Sequence, residues 1–177
     1  MEFINFKGKL YPEYQSKGNA AQWILPFAKE WCKGEGYDIG CNRAEWAFPG
    51  AQMIDVTMDD DWSAYNLPEC EVDYIFSSHC LEHLDDWVGA LEYWNTKLKA
   101  GGTLFLYLPH KSQEYWHPVN NRKHLHSFDE SDFENYFDQC KPHEDTMLNA
   151  LFSKWRHVIT TGVDLNHSFC VILIKNT

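Results

Sequence analysis

The stretch Val72 to Leu84, VDYIFSSHCLEHL, decides the fold and admits two readings. Its first half, Val72 to Ser78, is a short apolar run of the kind that forms a strand buried on both faces. Its second half spells H-x-x-E-H at His79, Glu82 and His83, a pattern that on a helix can hold a zinc ion and a general base. Leu81, Leu84, Val88, Leu91 and Leu98 then recur at helical spacing, with Trp94 near the same stripe. Ala100-Gly101-Gly102 reads as the helix stop, and Thr103 to Pro109, TLFLYLP, as the next buried strand. Strand, helix, glycine stop and strand make a βαβ unit, so the sheet is at least partly parallel.

A helical projection of this segment puts Leu81, Leu84, Val88 and Leu91 on one side and Glu82 nearly opposite, toward solvent. His79 and His83 fall on the flank. A zinc site needs its ligands turned inward, with a further protein ligand and a water. The pattern therefore predicts no metal ligand here, and a histidine pair satisfied at a helix start.

Working outward, Asn19 to Trp31 reads as a helix capped by Asn19 and kinked at Pro26. Tyr37-Asp38-Ile39 precedes a sharp turn at Gly40, and QMIDV places Asp55 at the tip of a second strand. Residues 128–137, FDESDFENYF, read as a helix capped by Asp129 or Ser131. Ala150 to Trp155 is expected as helix. His157 to Val163 and Ser168 to Lys175 are expected as an antiparallel pair joined around Asp164 to His167. Ile39, Asp55 and Val72 follow one another at spacings of 16 and 17 residues. A parallel crossover needs about a dozen, which leaves little room for helices and predicts a reduced sheet edge after the second strand.

The 177 residues suit one domain, and 44% apolar content with 8 Trp, 9 Tyr and 11 Phe suits a packed core. A net charge of −11 argues against general nucleic-acid binding. No apolar run is long enough to span a membrane, and the first residues lack a signal peptide's apolar core. Cys32, Cys41, Cys70, Cys80, Cys140 and Cys170 show no C-x-x-C pairing, which favours reduced thiols and a cytoplasmic setting.

Three strand ends carry polar residues: Asp38 to Arg43 after the first, Asp55 after the second, and Ser78 to Leu84 after the third. Open α/β sheets bind ligands at those ends. At this point the sequence resembles the class I S-adenosylmethionine-dependent methyltransferases. The likeness rests on YDIGCNRAEW, AQMIDVT, VDYIFSSHCLEHL and KLKAGGTLFLYLP in order, from about Gly36 to Pro109, and on HLHSFDESDFENYF beyond. It implies a Rossmann-like α/β fold, with a mostly parallel sheet, helices on both faces and an antiparallel C-terminal strand. It implies one domain over residues 1–177: an N-terminal lid and helix (1–35), a cofactor-binding core (36–110), and an acceptor-side loop with C-terminal strands (111–177).

The resemblance further implies S-adenosylmethionine as cofactor. Asp38, Gly40, Cys41 and Asn42 would hold its methionine end, Asp55 with Val56 its ribose, and Ser63 and Ala64 its adenine. Ser78 and His79 would line the crevice beside the sulfonium. A carboxylate at Asp55 can accept from both ribose hydroxyls. The family's second and third glycines are Asn42 and Ala44 here, and Asn tolerates the left-handed backbone better than most residues. His79, His110 and His117 are candidate bases, with Tyr11 or Tyr14 from the lid. The partner expected is a small-molecule acceptor. Two other readings remain open: a non-catalytic binding module on a methyltransferase fold, and a zinc hydrolase using H-x-x-E-H at 79–83. The oligomeric state is open as well.

Overall fold

The computed structural model describes residues 2–58, 61–138 and 154–176. In chain order come β1 (Phe3–Phe6), β2 (Lys9–Pro12), α1 (Glu13–Ser16), α2 (Ala21–Trp31), β3 (Gly36–Ile39), β4 (Gln52–Ile54), β5 (Val72–Ser78), α3 (Trp87–Thr96), β6 (Leu98–Pro109), α4 (Glu130–Asp138), β7 (Trp155–Thr160) and β8 (Ser168–Lys175). β1 and β2 pair as a hairpin, and the other strands form one sheet in the order β4-β3-β5-β6-β8-β7. β4, β3, β5 and β6 run parallel; β8 is antiparallel to both β6 and β7.

The sheet is buried on both faces, as its continuous apolar strands require. On one face Leu91 and Trp94 of α3 and Phe133 of α4 pack against Ile75, Leu104 and Val171. On the other, Ala28 and Phe27 of α2 pack against Phe76, Phe105 and Ile172. Pro26 lies inside α2, which runs on to Trp31. Asn19 supports its start by accepting from the Gln22 N–H at 3.3 Å. α4 has a reciprocal cap: Asp129 accepts from the Ser131 N–H, and Asp132 accepts from the Asp129 N–H. None of the described helices is long and apolar enough to cross a membrane.

The reduced edge is as the spacing predicts. β4 is the edge strand, with three residues, and the β3–β4 crossover carries a single 3-10 turn, Ala44–Trp46. Phe48 covers the sheet where a longer crossover would place a helix. Its ring packs 5.4 Å from Tyr74 and 4.9 Å from Phe76.

Two expectations need correction. The helix after β5 is not continuous: Leu81–His83 form a 3-10 turn, Leu84 is extended, and α3 starts at Trp87 on the Asp86 cap. Nor do the glycines at 101 and 102 stop it. α3 ends at Thr96, because Lys97 and Leu98 already join the sheet, with the Lys97 carbonyl accepting from the Val72 N–H. Ala100 to Gly102 lie in a bulge of β6, where the register jumps from Leu98 to Thr103. At the C-terminal end, Trp155 opens β7 rather than closing a helix, and 150–153 lie outside the described residues. Cys140 lies outside them too.

Candidate active site

The carboxyl ends of β3 and β5 open onto a narrow crevice of about 20 Å³ lined by Gly18, Asn19, Ala21, Asp38, Gly40, Cys41, Trp46 and Ser78. Four of these were legible as candidates. Gly18, Asn19, Ala21 and Trp46 were not, because nothing in their spacing ties the start of α2 to the strand ends. A second hollow of about 260 Å³, lined by Glu2, Glu13, Tyr14, Lys17 and Gln22, shares the 17–22 segment.

The turn after β3 keeps the geometry of a glycine-rich loop although two glycines are replaced. Gly40 has φ +87° and Asn42 has φ +61°, both left-handed. At Gly40 a Cβ would sit 2.5 Å from the Cβ of Cys80 and 2.6 Å from its Sγ, so no larger residue fits. Asp38 is 2% exposed, and its Oδ2 accepts from the Phe48 N–H at 2.6 Å, which ties the crossover back to β3. Burial raises its carboxyl to about 7, the Phe48 N–H opposing the rise.

Asp55 braces this turn. Its Oδ2 accepts from the Asn42 N–H at 2.8 Å, and its Oδ1 accepts from the N–H and hydroxyl of Thr57 at 2.8 and 2.7 Å. Three protein donors thus occupy a carboxylate that the sequence reading left to the ribose alone. Val56 beside it is 67% exposed. Ser63 pairs with Asn66 through both main-chain bonds, and the Ala64 carbonyl accepts from Trp94 Nε1 at 2.7 Å, so this loop leans on α3.

Ser78 and His79 end β5 on different partners. Ser78 Oγ is buried without a hydrogen-bond partner among the described residues and faces the crevice. His79 turns at φ +52°, its N–H donates to the Tyr107 carbonyl at 2.8 Å, and its Nε2 lies 2.9 Å from Ser168 Oγ. A polar chain continues from there. Ser168 Oγ contacts the Asn166 carbonyl at 3.2 Å, Asn166 Nδ2 donates to Tyr107 Oη at 3.0 Å, and Tyr107 Oη donates to Asp164 at 2.6 Å. Around it Tyr14 Oη, Gln15 Oε1, Gln113 Oε1 and Asn166 Oδ1 are buried without partners among the described residues.

The N-terminal segment closes on the 110–117 loop. Tyr11 Oη accepts from the Glu114 N–H at 3.0 Å, Trp116 Nε1 donates to the Gln15 carbonyl at 3.2 Å, and Gln15 Nε2 donates to the Asn166 carbonyl at 2.6 Å. His110 is clasped by Ser112 Oγ at 2.7 Å on Nδ1 and by Glu130 at 3.3 Å on Nε2. His117 accepts from the Val119 N–H through Nδ1 at 3.3 Å.

The H-x-x-E-H segment departs furthest from its sequence reading. Glu82 does not face solvent: it is fully buried, and neither carboxylate oxygen has a hydrogen-bond partner among the described residues. The projection failed because residues 81–83 form a tight 3-10 turn rather than part of a continuous helix. The main chain of Glu82 is pinned by the loop above it, its carbonyl accepting from the N–H groups of Leu125 at 2.8 Å and His126 at 3.1 Å. His79, His83 and His124 surround the carboxylate, each with a ring nitrogen 3.9 Å from Glu82 Oε1. Burial pushes the Glu82 carboxyl up to about 8. Burial, reinforced by neighbouring imidazoles, holds His79 down to about 3 and His124 to about 4. No sequence spacing joins His124 to this segment; the one signal was the histidine-rich character of residues 110–127.

A family model described as a methyltransferase domain matches residues 17–140, well over half the chain. Among solved structures, the chain resembles the 1,6-didemethyltoxoflavin-N1-methyltransferase of Burkholderia thailandensis, solved with 1,6-didemethyltoxoflavin and S-adenosylhomocysteine. The two are 16% identical with a TM-score of 0.59, over 89% of this chain and 77% of that one. It also resembles the N-methyltransferase NodS of Bradyrhizobium japonicum in complex with S-adenosylhomocysteine, at 13% identity and a TM-score of 0.52, over 93% and 89% of the two chains. The plantazolicin methyltransferase BpumL, also in complex with S-adenosylhomocysteine, gives 14%, 0.58, 93% and 85%. These identities speak to the fold alone. No functionally curated protein matches the chain at a significant level. The family match spans the glycine turn, the Asp55 brace and the β5 terminus, and it settles the class: this chain belongs to the methyltransferase domain family.

Proposed function

We propose that the chain binds S-adenosylmethionine across the carboxyl ends of β3, β4 and β5 and transfers its methyl group to a small polar acceptor on the His79 side of β5. The observation that carries this reading is the left-handed Gly40–Asn42 turn, braced by Asp55 and sharing a crevice with Ser78 Oγ, which has no hydrogen-bond partner among the described residues. These features fit the cofactor: a left-handed main-chain turn at the strand ends packed too closely on Cys80 for any side chain at position 40, and a buried hydroxyl with no hydrogen-bond partner among the described residues. When bound, S-adenosylmethionine supplies an electrophilic methyl carried on a sulfonium.

In this reading the main chain of Gly40, Cys41 and Asn42 receives the methionine end, with Asp38 holding the turn from behind. Asp55 fixes the turn and offers its remaining acceptor capacity to the ribose, beside Val56. Ser63 and Ala64 border the adenine side. The acceptor takes its polar contacts from the buried groups around Asn166, Gln15 and Gln113.

Of the candidate bases, His79 is held too far below neutrality to take a proton efficiently, and His110 has both ring nitrogens engaged. His117 accepts through Nδ1, so its neutral ring carries the proton on Nε2. We therefore assign His79 and His117 to positioning and His110 to anchoring the loop on α4. Catalysis comes mainly from holding a nucleophile that already has its lone pair in line with the methyl.

Calorimetric titration with S-adenosylhomocysteine tests the reading. Saturable binding at one site per chain is expected. No heat and no thermal shift at about millimolar ligand, a binding free energy weaker than about −4 kcal/mol, would overturn it.

A further inference from the structure

Glu82 poses a physical problem that the methyl-transfer reading leaves untouched. A buried carboxylate normally has donors, because an unpaired buried polar group costs free energy. Glu82 is fully buried and has none among the described residues. Three imidazoles surround it at 3.9 Å, too far for a hydrogen bond.

The ring orientations deepen the problem. His83 Nδ1 lies 2.8 Å from the Lys123 carbonyl, which accepts only, so Nδ1 carries the proton. The lone pair is then on Nε2, the atom facing Glu82. Ser168 Oγ lies within donating reach of the Asn166 carbonyl, which leaves it to accept from His79 Nε2. The lone pair of His79 is then on Nδ1, again the atom facing Glu82. Lone pairs directed at a carboxylate oxygen repel unless a proton or a metal cation lies between them, and at 3.9 Å a proton cannot bridge the pair as a hydrogen bond. Two ligand atoms each ~2.1 Å from a tetrahedral zinc ion lie ~3.4 Å apart. The 3.9 Å separations reach that value with shifts of a few tenths of an ångström.

We propose that Glu82, His83 and His124 form a binding site for a divalent first-row transition ion of the zinc type, with His79 bordering its open side. One ligand atom from each of the three lies within 4.8 Å of the others. The donor set of two imidazoles and one carboxylate suits such an ion better than magnesium or calcium. The carbonyl of Lys123 supplies the outer hydrogen bond that orients a ligating imidazole. The His83 side chain, 35% exposed, gives the ion a way in, whereas Glu82 and His124 do not. The 110–126 loop closes the site from above through the bonds of Leu125, His126 and Lys123. The open coordination positions would take an oxygen or nitrogen of the methyl acceptor. That role rests on the proposed methyl transfer; the ion site itself does not.

The test uses tag-free, full-length protein stripped with a chelator. Cobalt(II) is titrated in and followed by its visible absorption, with zinc as competitor and magnesium as control. One cobalt per chain is expected, displaced by zinc and not by magnesium. Binding should weaken by at least about tenfold in Glu82→Gln, His83→Ala and His124→Ala. If the two buried variants fail to fold, His83→Ala decides, because its side chain is partly exposed. Uptake below about a tenth of an ion per chain, or equal binding by wild type and His83→Ala, would overturn the site. S-adenosylhomocysteine titration of the stripped protein keeps the two readings apart. Cofactor without cobalt binding removes the ion site, and cobalt without cofactor binding leaves the ion site and removes its assigned role.

Discussion

Ser78 and His79 are neighbours at the end of β5, yet they belong to differently built regions. The Ser78 side is pared down: β4 has three residues, the crossover before it has one 3-10 turn, and Phe48 stands in for a helix. The His79 side is elaborated. The N-terminal segment, the 110–126 loop and the β7–β8 turn meet there in a network of buried polar groups. The side that would hold the cofactor is made mostly of backbone geometry, with side chains bracing the main chain. The other side is made of side-chain chemistry. Backbone geometry tolerates reduction, because a turn needs permitted φ values and a few hydrogen bonds. A polar cluster is assembled from side chains of several distant segments, and so needs more chain around it.

The comparison predicts that the Ser78 side is most sensitive where the backbone is constrained. Gly40→Ala puts a Cβ against Cys80 at a left-handed φ, a conformation that costs an L-residue about 1–2 kcal/mol before any clash. Affinity for S-adenosylhomocysteine should fall at least about a hundredfold by calorimetry. Unchanged affinity would mean the turn is not the cradle.

Asp55→Ala comes next. Loss of its charge-assisted bonds, each worth about 1.5–3 kcal/mol, should weaken binding about tenfold to several hundredfold while circular dichroism stays native. Asp55→Asn keeps one acceptor oxygen and should fall between the two. An Asn variant as weak as the Ala variant would show that the charge, and not the brace, carries the effect.

The buried Asp38 makes the Ser78 side sensitive to pH. Its folded-state carboxyl is raised to about 7 against an ordinary 3.8, so the folded state holds its proton more tightly than the unfolded chain does. That stabilising contribution is full below about pH 4 and is lost as pH rises through 7. Relative to Asp38→Asn, which cannot titrate, the wild type should lose about 2 kcal/mol between pH 5 and pH 7. Urea unfolding at successive pH values measures this, and parallel curves would contradict it.

The smallest effect belongs to His83→Ala. It should change S-adenosylhomocysteine affinity by less than about twofold, since the ring bonds to Lys123 and faces Glu82 rather than the crevice. A large loss would merge the two sides of β5 into one site.

Much of the fold was legible because local rules governed it. The apolar runs gave β5 and β8 to the residue, and the short spacings foretold the reduced edge. The positive φ at Asn42 followed from residue chemistry. What was not legible depended on tertiary contacts. The α3 start moved to Trp87 because Asp86 caps there and the Cys80–Leu84 stretch is spent in a tight turn. Glu82 was misplaced because a helical projection presumes a helix. His124 and Trp46 carry no periodic signal; each reaches its site through a loop whose path is set by hydrogen bonds to distant residues.

The most direct measurement is a calorimetric titration of S-adenosylhomocysteine into wild-type protein, once as purified and once after stripping with a chelator. One site per chain is expected in both, with the same affinity within about twofold, because the crevice at Gly40, Asp55 and Ser78 shares no ligand atom with the Glu82 cluster. Absence of binding in both would contradict the proposed function. Binding lost on stripping would contradict the separation of the two sides of β5.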